Sequence, residues 1–270
     1  MIQIIVFSAI AGICGMGLGG IISAVLLKRP SENMICRLLS FAAGVMISIV
    51  CFGLVPESFL LLQDFGILGI IILLFGLILG AIIIMGLNYL VDKINKLKDD
   101  DLKMHHTHEQ LYHESQLINN PSRMLRSGLL MLIAIALHNV PEGIAIGAGG
   151  SFNFKLGALL AIMIAVHNIP EGMAIAAPLL AGGINKYKVI FLTSLAGATT
   201  LLGGFIGILI GGISNLAVAL SLSLAGGAML YIVFGEILPQ SIIMTKNRTT
   251  SIVTLFGIIV GLIVTKIQGF

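Results

Sequence analysis

The feature that most constrains this chain is a succession of apolar runs, each about 20 residues long, with few polar interruptions. A helix of about 20 residues rises about 30 Å, which matches the thickness of the hydrocarbon core of a bilayer. The runs are apolar on every face and rich in Gly and Ala, whereas strands of a membrane β-barrel alternate polar and apolar residues. The sequence therefore predicts an all-α membrane protein.

Eight such runs follow one another along the chain. The predicted spans cover residues 2–27, 38–62, 66–90, 125–149, 156–182, 189–213, 216–240 and 252–267. Only 10% of the residues are charged, well below the roughly 25% that is usual in soluble domains. The basic residues are scattered between the runs and form no patch, which argues against a nucleic-acid partner. We expect residues 1–270 to form one transmembrane domain surrounded by lipid.

The distribution of Lys and Arg predicts how this domain is oriented. If the N-terminus is outside, 13 of the 15 basic residues fall in cytoplasmic loops, and only Lys155 and Lys266 fall outside. Cytoplasmic loops of membrane proteins carry an excess of basic residues. We therefore expect a multi-pass protein of the plasma (inner) membrane with both termini extracytoplasmic.

One loop, at about residues 91–124, is long enough to form a soluble segment. It is polar, charged and without an apolar period, which is typical of a flexible linker, and the orientation above places it in the cytoplasm. It contains four of the six histidines, namely His105, His106, His108 and His113. Two interpretations stay open: a solvated linker without a specific ligand, or a segment that binds metal ions weakly through neutral imidazoles.

Two internal repeats indicate an inverted architecture. HNVPEGIAIGA from His138 to Ala148 matches HNIPEGMAIAA from His167 to Ala177 at eight of eleven positions. These copies lie in neighbouring spans that cross the membrane in opposite senses, so a twofold axis in the membrane plane relates them. A weaker repeat aligns residues 42–58 with 225–241 at seven of seventeen positions. The two repeats together predict three spans, a central pair and three more spans.

Each HN-x-PEG motif brings metal-binding groups together. Its His and Glu are four residues apart, so His138 lies above Glu142, and His167 above Glu171, on one helix face. The Pro of each motif lacks an N–H group, so we expect it to break the helix and to expose a backbone carbonyl. Freed carbonyls are tolerated at membrane depth where they line a cavity or are buried in protein.

Two carboxylates in the bilayer interior need a compensating charge, because each costs about 3 kcal/mol to insert there. Every Lys and Arg is assigned to a loop or a chain end, which leaves protons or a metal cation. Imidazoles, carboxylates and the amide oxygens of Asn139 and Asn168 suit Zn²⁺, Fe²⁺, Mn²⁺, Co²⁺ or Ni²⁺ better than Ca²⁺ or Mg²⁺. The sequence does not rank zinc against iron, manganese or cadmium. The alternative is that His and Glu are only polar contacts between packed helices.

With eight spans, a His-containing loop and HN-x-PEG in both central spans, the chain resembles the ZIP family of zinc and iron permeases, in particular its bacterial branch. The resemblance implies metal ligation by the six motif residues His138, Asn139, Glu142, His167, Asn168 and Glu171. Met46, in FAAGVM, matches a thioether ligand of some relatives, and core packing is its alternative role. Glu236, in FGEILPQS, matches a region that lines the cytoplasmic exit, and Glu57 occupies the mirror region of span two. The alternative for both is that carboxylates near helix ends simply reach interfacial water.

One departure from the family concerns the number of ions. Many relatives carry a glutamate in span six, where SLAGATTLLGG places Thr200, so we expect one ion in the pathway. The resemblance implies uptake of a divalent transition metal, most often zinc, into the cytoplasm, without enzyme activity or a bound cofactor. The alternatives are an intramembrane zinc-dependent hydrolase, although H-E-x-x-H is missing, and a metal sensor without flux. A homodimer is one assembly that the sequence allows.

Overall fold

The computed structural model describes residues 1–26, 32–96, 121–211, 214–245 and 248–267, and nearly all of these residues are helical. Helix is the expected outcome, because hydrocarbon offers no partner for backbone N–H and C=O groups and a helix satisfies them internally. The helices, numbered in chain order, are α1 (residues 2–26), α2 (32–61), α3 (Ile67–Lys96), α4 (Pro121–Phe152), α5 (Phe154–Ala181), α6 (Lys186–Gly211), α7 (215–245) and α8 (Thr249–Ile267).

Seven of the described helices are long and apolar enough to cross a membrane. Their apolar stretches are Ile2–Val25, Cys36–Leu61, Ile67–Gly86, Met131–Phe152, Phe154–Ala181, Lys186–Gly211 and Asn215–Gly235. The last helix, α8, carries a shorter apolar stretch, Thr249–Ile263. The prediction of an all-α, multi-pass membrane protein is confirmed, whereas the count of eight spans in a 3+2+3 inverted repeat stays a prediction.

The long loop predicted at about residues 91–124 overlaps a helix at both of its ends. Helix α3 continues to Lys96, and α4 begins at Pro121. A proline suits the first position of a helix, since the N–H that it lacks would have no partner there. The four predicted loop histidines, His105, His106, His108 and His113, lie outside the described residues.

The described helices form two groups of four. Helices α1, α4, α5 and α6 pack together, and α2, α3, α7 and α8 form the other group. Glycines allow close crossings inside each group, such as Gly12 against Gly197 in the first and Gly44 against Gly257 in the second. The groups meet where α4 contacts α7 and where α2 contacts α5. The central pair α4 and α5 is therefore enclosed by helices of both groups.

Three π-helical segments interrupt the described helices: Ile10–Cys14 in α1, Val50–Leu54 in α2 and Val233–Ile237 in α7. The second and third lie 183 positions apart, which is the spacing of the weaker sequence repeat, and Pro56 and Pro239 follow them at equivalent positions. A π segment holds one extra residue and often marks a functional site. The weaker repeat thus has a counterpart in backbone geometry.

Candidate metal site

Both HN-x-PEG motifs lie in the middle of long helices. Pro141 falls inside α4, and Pro170 falls inside α5, yet both helices continue through them without interruption. The expectation that these prolines break the helices is therefore wrong. A proline removes one hydrogen bond of the helical ladder, and the turns on either side, packed against neighbouring helices, keep the others.

Three side chains from the two motifs form a cluster. A carboxylate oxygen of Glu142, a ring nitrogen of His167 and a carboxylate oxygen of Glu171 all lie within 4.8 Å of one another. None of the three residues has any exposed surface. Atoms at these separations need to move by about 1 Å or less to meet on one ion with metal–ligand distances near 2.1 Å.

The closest contact in this cluster crosses from one motif copy to the other. The Nε2 atom of His167 lies 2.7 Å from Oε1 of Glu142, and its Nδ1 lies 3.2 Å from the carbonyl oxygen of Met163. A carbonyl oxygen can only accept, so Nδ1 carries a proton and donates it to Met163. The short Nε2–Oε1 contact then holds a second, shared proton. A cation that binds to these two atoms must displace that shared proton.

The asparagine of each motif is fixed by a backbone carbonyl of a neighbouring helix. Asn139 donates Nδ2–H to the carbonyl of Ala196 in α6, and Asn168 donates to that of Ala11 in α1, both at 3.0 Å. The Oδ1 atoms of both residues and Oγ1 of Thr200 are buried and have no hydrogen-bond partner among the described residues. Buried polar atoms are normally satisfied, so these three oxygens are candidates to bind a water or an ion.

Lys and Arg are scarce in the apolar stretches that carry the cluster. Within their apolar stretches, α4 and α5 carry one basic residue, Lys155, which is exposed near the start of α5. Two buried carboxylates close to each other are costly in a medium of low polarity unless their charge is compensated. Imidazole and carboxylate ligands together suit zinc-like ions. The cluster can therefore bind a divalent transition-metal ion.

Met46 lies in α2, which packs against the cluster helix α5, and its side chain is fully buried. Its neighbours Val45 and Ile49 line a small apolar cavity together with Met163 of α5. Since the Met163 carbonyl binds His167, this cavity places the Met46 region of α2 about one helical turn from the cluster. Packing in the core and a place beside the ion are both compatible with this position.

Two other predicted residues are described only through their backbone. His138 lies in α4, one turn before Glu142, and Glu236 lies in the π segment of α7. Their side chains are outside the described part of the chain, as is the whole of each loop histidine. The metal or exit-path roles of these residues therefore stay predictions.

Sequence reasoning missed the backbone groups that hold the motif side chains. These are the carbonyls of Met163, Ala196 and Ala11, which bind His167, Asn139 and Asn168 respectively. A weak signal was present, because Ala11 and Ala196 each precede a glycine in the similar strings IAGIC and LAGAT. Such glycines allow the close helix crossing that brings a carbonyl within reach of an amide.

The chain was compared with known proteins. The profile of the family described as "ZIP Zinc transporter" matches residues 88–267. Three similar proteins are named "Zinc transporter ZupT" and come from Escherichia coli O7:K1 (strain IAI39 / ExPEC), O127:H6 (strain E2348/69 / EPEC) and strain K12 / DH10B. Each is 30% identical to this chain over 253 residues, which cover 93% of this chain and 89% of the relative. The match extends over both HN-x-PEG helices and confirms the resemblance noted in the sequence: the chain belongs to the ZIP zinc transporter family.

Proposed function

We propose that this protein carries zinc ions across the inner membrane into the cytoplasm, and that the ion binds between α4 and α5 on the way. The observation that carries this proposal is the fully buried cluster of Glu142, His167 and Glu171, in which two carboxylates and an imidazole lie close enough to bind one ion. The relatives named above are zinc transporters by name. The family is one of transporters rather than enzymes, which agrees with the prediction that this chain is not an enzyme.

The complete ligand set extends beyond this cluster. His138 stands one turn before Glu142, at the position that His167 holds relative to Glu171, and supplies a second imidazole. The oriented Oδ1 atoms of Asn139 and Asn168 supply neutral oxygens, and Met46 supplies a thioether from α2. Glu236 and the loop histidines then receive the ion on the cytoplasmic side.

The direction of transport rests on the orientation. The excess of Lys and Arg in the loops between α1 and α2, α3 and α4, α5 and α6, and α7 and α8 favours a cytoplasmic location for these loops. Both termini are then extracytoplasmic. A homodimer, and transport of Fe²⁺, Mn²⁺, Co²⁺, Ni²⁺ or Cd²⁺, stay predictions that follow from the sequence.

Zinc flux into proteoliposomes tests this function directly. Vesicles that contain the protein and a trapped zinc indicator should take up zinc at least about tenfold faster than protein-free vesicles. A tenfold excess of Cd²⁺ should slow this uptake, whereas Ca²⁺ or Mg²⁺ should not, because those ions prefer sites built only from oxygen ligands. Tight zinc binding without any flux would instead indicate the sensor, and zinc-dependent hydrolysis of a lipid or peptide would indicate the enzyme.

The proposed pathway holds one ion at a time. Thr200 lies beside Gly12 of α1 and has a buried, neutral hydroxyl where many relatives carry a carboxylate. After one dication has neutralised Glu142 and Glu171, a second would be buried without a counter-charge, which is strongly unfavourable. The neutral hydroxyl of Thr200 supplies no such counter-charge.

The number of bound ions should respond to a charge at position 200. Elemental analysis of desalted protein should give about one zinc per chain, and Thr200→Asp, which is close to threonine in size, should raise this number to about two. The variant Thr200→Val keeps the shape, adds no charge and should stay at one. Two ions in the parent protein, or one ion in Thr200→Asp, would contradict a single site governed by residue 200.

A further inference from the structure

A third carboxylate lies inside an apolar span and has no role in the cluster. Among the described apolar stretches, acidic residues occur at Glu57, Glu142 and Glu171, and only Glu57, in Cys36–Leu61, lies away from the central site. Glu57 is half-buried and makes no hydrogen bond or ion pair with any described residue. Ionisable residues within membrane spans are costly and usually mark a path for ions. The contacts among the described residues therefore do not explain why an acidic residue occupies this position.

The helix face that carries Glu57 also has room for a small ion. Gly53 is buried and lies on this face, one turn nearer the middle of the span than Glu57. A methyl group added at Gly53 would meet no atom within 4 Å outside its own stretch of helix, so there is open space beside it. A different face of α2 is held against α7, where Ser58 donates a hydrogen bond of 2.9 Å to the Ala219 carbonyl. The space beside Gly53 is thus not filled by the helix that packs on the Ser58 face.

The backbone at this point offers an additional oxygen. In the π segment Val50–Leu54, the N–H of Val55 donates to the carbonyl of Val50. In the same i to i+5 pattern, the N–H of residue 56 would donate to the carbonyl of Cys51. Residue 56 is a proline, which has no N–H, so the Cys51 carbonyl does not receive this hydrogen bond. A carboxylate, a neighbouring open space and a freed carbonyl are the components from which cation sites at interrupted membrane helices are built.

The same helix leads from Glu57 to the central cluster. Ile49 lies one turn beyond Gly53 and borders the cavity that it shares with Met163, whose carbonyl binds His167. We propose that Glu57 is an outer docking site, at which a hydrated divalent cation binds before it moves along α2 to the cluster. This proposal rests on the proposed function and orientation, which place the end of α2 that carries Glu57 on the extracytoplasmic side.

Uptake kinetics give the first test. Glu57→Gln should raise the zinc concentration for half-maximal uptake about tenfold and leave the maximal rate unchanged, because a charge at the mouth of a cleft concentrates cations and speeds their association. Glu57→Asp, which keeps the charge, should restore most of the parent curve. A Glu57→Gln curve identical to the parent curve would overturn the proposal.

Thiol labelling gives a second test that needs no transport activity. The exposed Cys14 and Cys51 are replaced by alanine, the buried Cys36 is kept, and Gly53→Cys is introduced. A membrane-impermeant thiosulfonate added outside cells should label this variant, and zinc should slow labelling at least about fivefold. The control Gly86→Cys also has space around it but lies at the last residue of the apolar stretch Ile67–Gly86, on the cytoplasmic side in the proposed orientation, so a reagent added outside should not label it.

The two tests separate this proposal from the proposed function. If the parent protein shows no flux, the proposed function fails, and the labelling still reports whether zinc reaches Gly53. Zinc protection that disappears when Glu57→Gln is added to Gly53→Cys would support the docking site. Labelling from outside that zinc does not slow, or no labelling at all, would overturn it even in a protein that transports zinc.

Discussion

Replacing Glu142 with alanine should lower zinc uptake by more than about 100-fold, the largest effect expected from any single change in this protein. Loss of a residue that merely supports a metal ligand typically costs 10–100-fold, and Glu142 offers a ligand atom itself. Its Oε1 atom lies 2.7 Å from Nε2 of His167, and both residues are fully buried. The initial rate of uptake in proteoliposomes measures the loss, and His167→Ala should show a loss of similar size.

Zinc binding separates this loss from a folding defect. Zinc at 100 times its dissociation constant should stabilise the parent protein by about 2.7 kcal/mol against thermal unfolding, and it should not stabilise Glu142→Ala. Glu142→Gln retains a hydrogen-bonding group opposite His167, so it should fold like the parent in the absence of zinc and still fail to bind the ion. The matched control Ser151→Ala, in the same helix, should keep parental uptake. Rapid uptake by either Glu142 variant would refute the role of the cluster.

The helices and the position of the candidate site follow from local sequence. Hydrocarbon forces every long apolar run to satisfy its own backbone hydrogen bonds, so hydropathy alone places α5 at residues 156–182, close to the observed Phe154–Ala181. The duplicated motif places Glu142, His167 and Glu171 on adjacent antiparallel helices, and the structure brings these three side chains together. Both predictions depend on residues that are near one another in sequence or occur in a repeated motif.

The pairing inside the cluster depends on how the helices are rotated against each other. Spacing of four residues predicts that His167 converges with Glu171 of its own motif, but the shortest contact is to Glu142 of the other copy. The angle at which α4 meets α5 decides this, and that angle is set by glycine contacts with α1 and α6. Such contacts join residues far apart in sequence and leave no local pattern.

The π segments were also beyond sequence reasoning. Val50–Leu54 and Val233–Ile237 have the composition of ordinary apolar helix. A π segment differs from an α-helix by one inserted residue, and apolar composition alone does not reveal such an insertion. Pro56 and Pro239 follow these two segments, and the change of helix type precedes both prolines.

A methyl group at Gly12 should have the second largest effect, because it would force α1 and α6 apart. Gly12 of α1 lies against Gly197 of α6 so closely that an added Cβ would overlap the Gly197 carbonyl and come within 2.6 Å of Thr200. Overpacking of this kind typically costs 1–3 kcal/mol or more when backbone must move. We expect Gly12→Ala to lower the yield of folded protein about tenfold, as measured by size-exclusion chromatography in detergent.

The surviving Gly12→Ala protein should also bind zinc more weakly, because Ala11 precedes this glycine and its carbonyl orients Asn168. Moving α1 away from α6 also shifts the Ala11 carbonyl relative to α5. That shift disturbs the hydrogen bond to Asn168, so Oδ1 no longer points in one fixed direction. Gly86→Ala is the matched control, since a methyl group there meets no atom within 4 Å outside its own helix, and both its yield and its affinity should equal those of the parent. Parental affinity in folded Gly12→Ala would show that the Asn168 amide does not contribute to the ion site, whereas a joint loss of yield and affinity would tie the glycine crossing to metal binding.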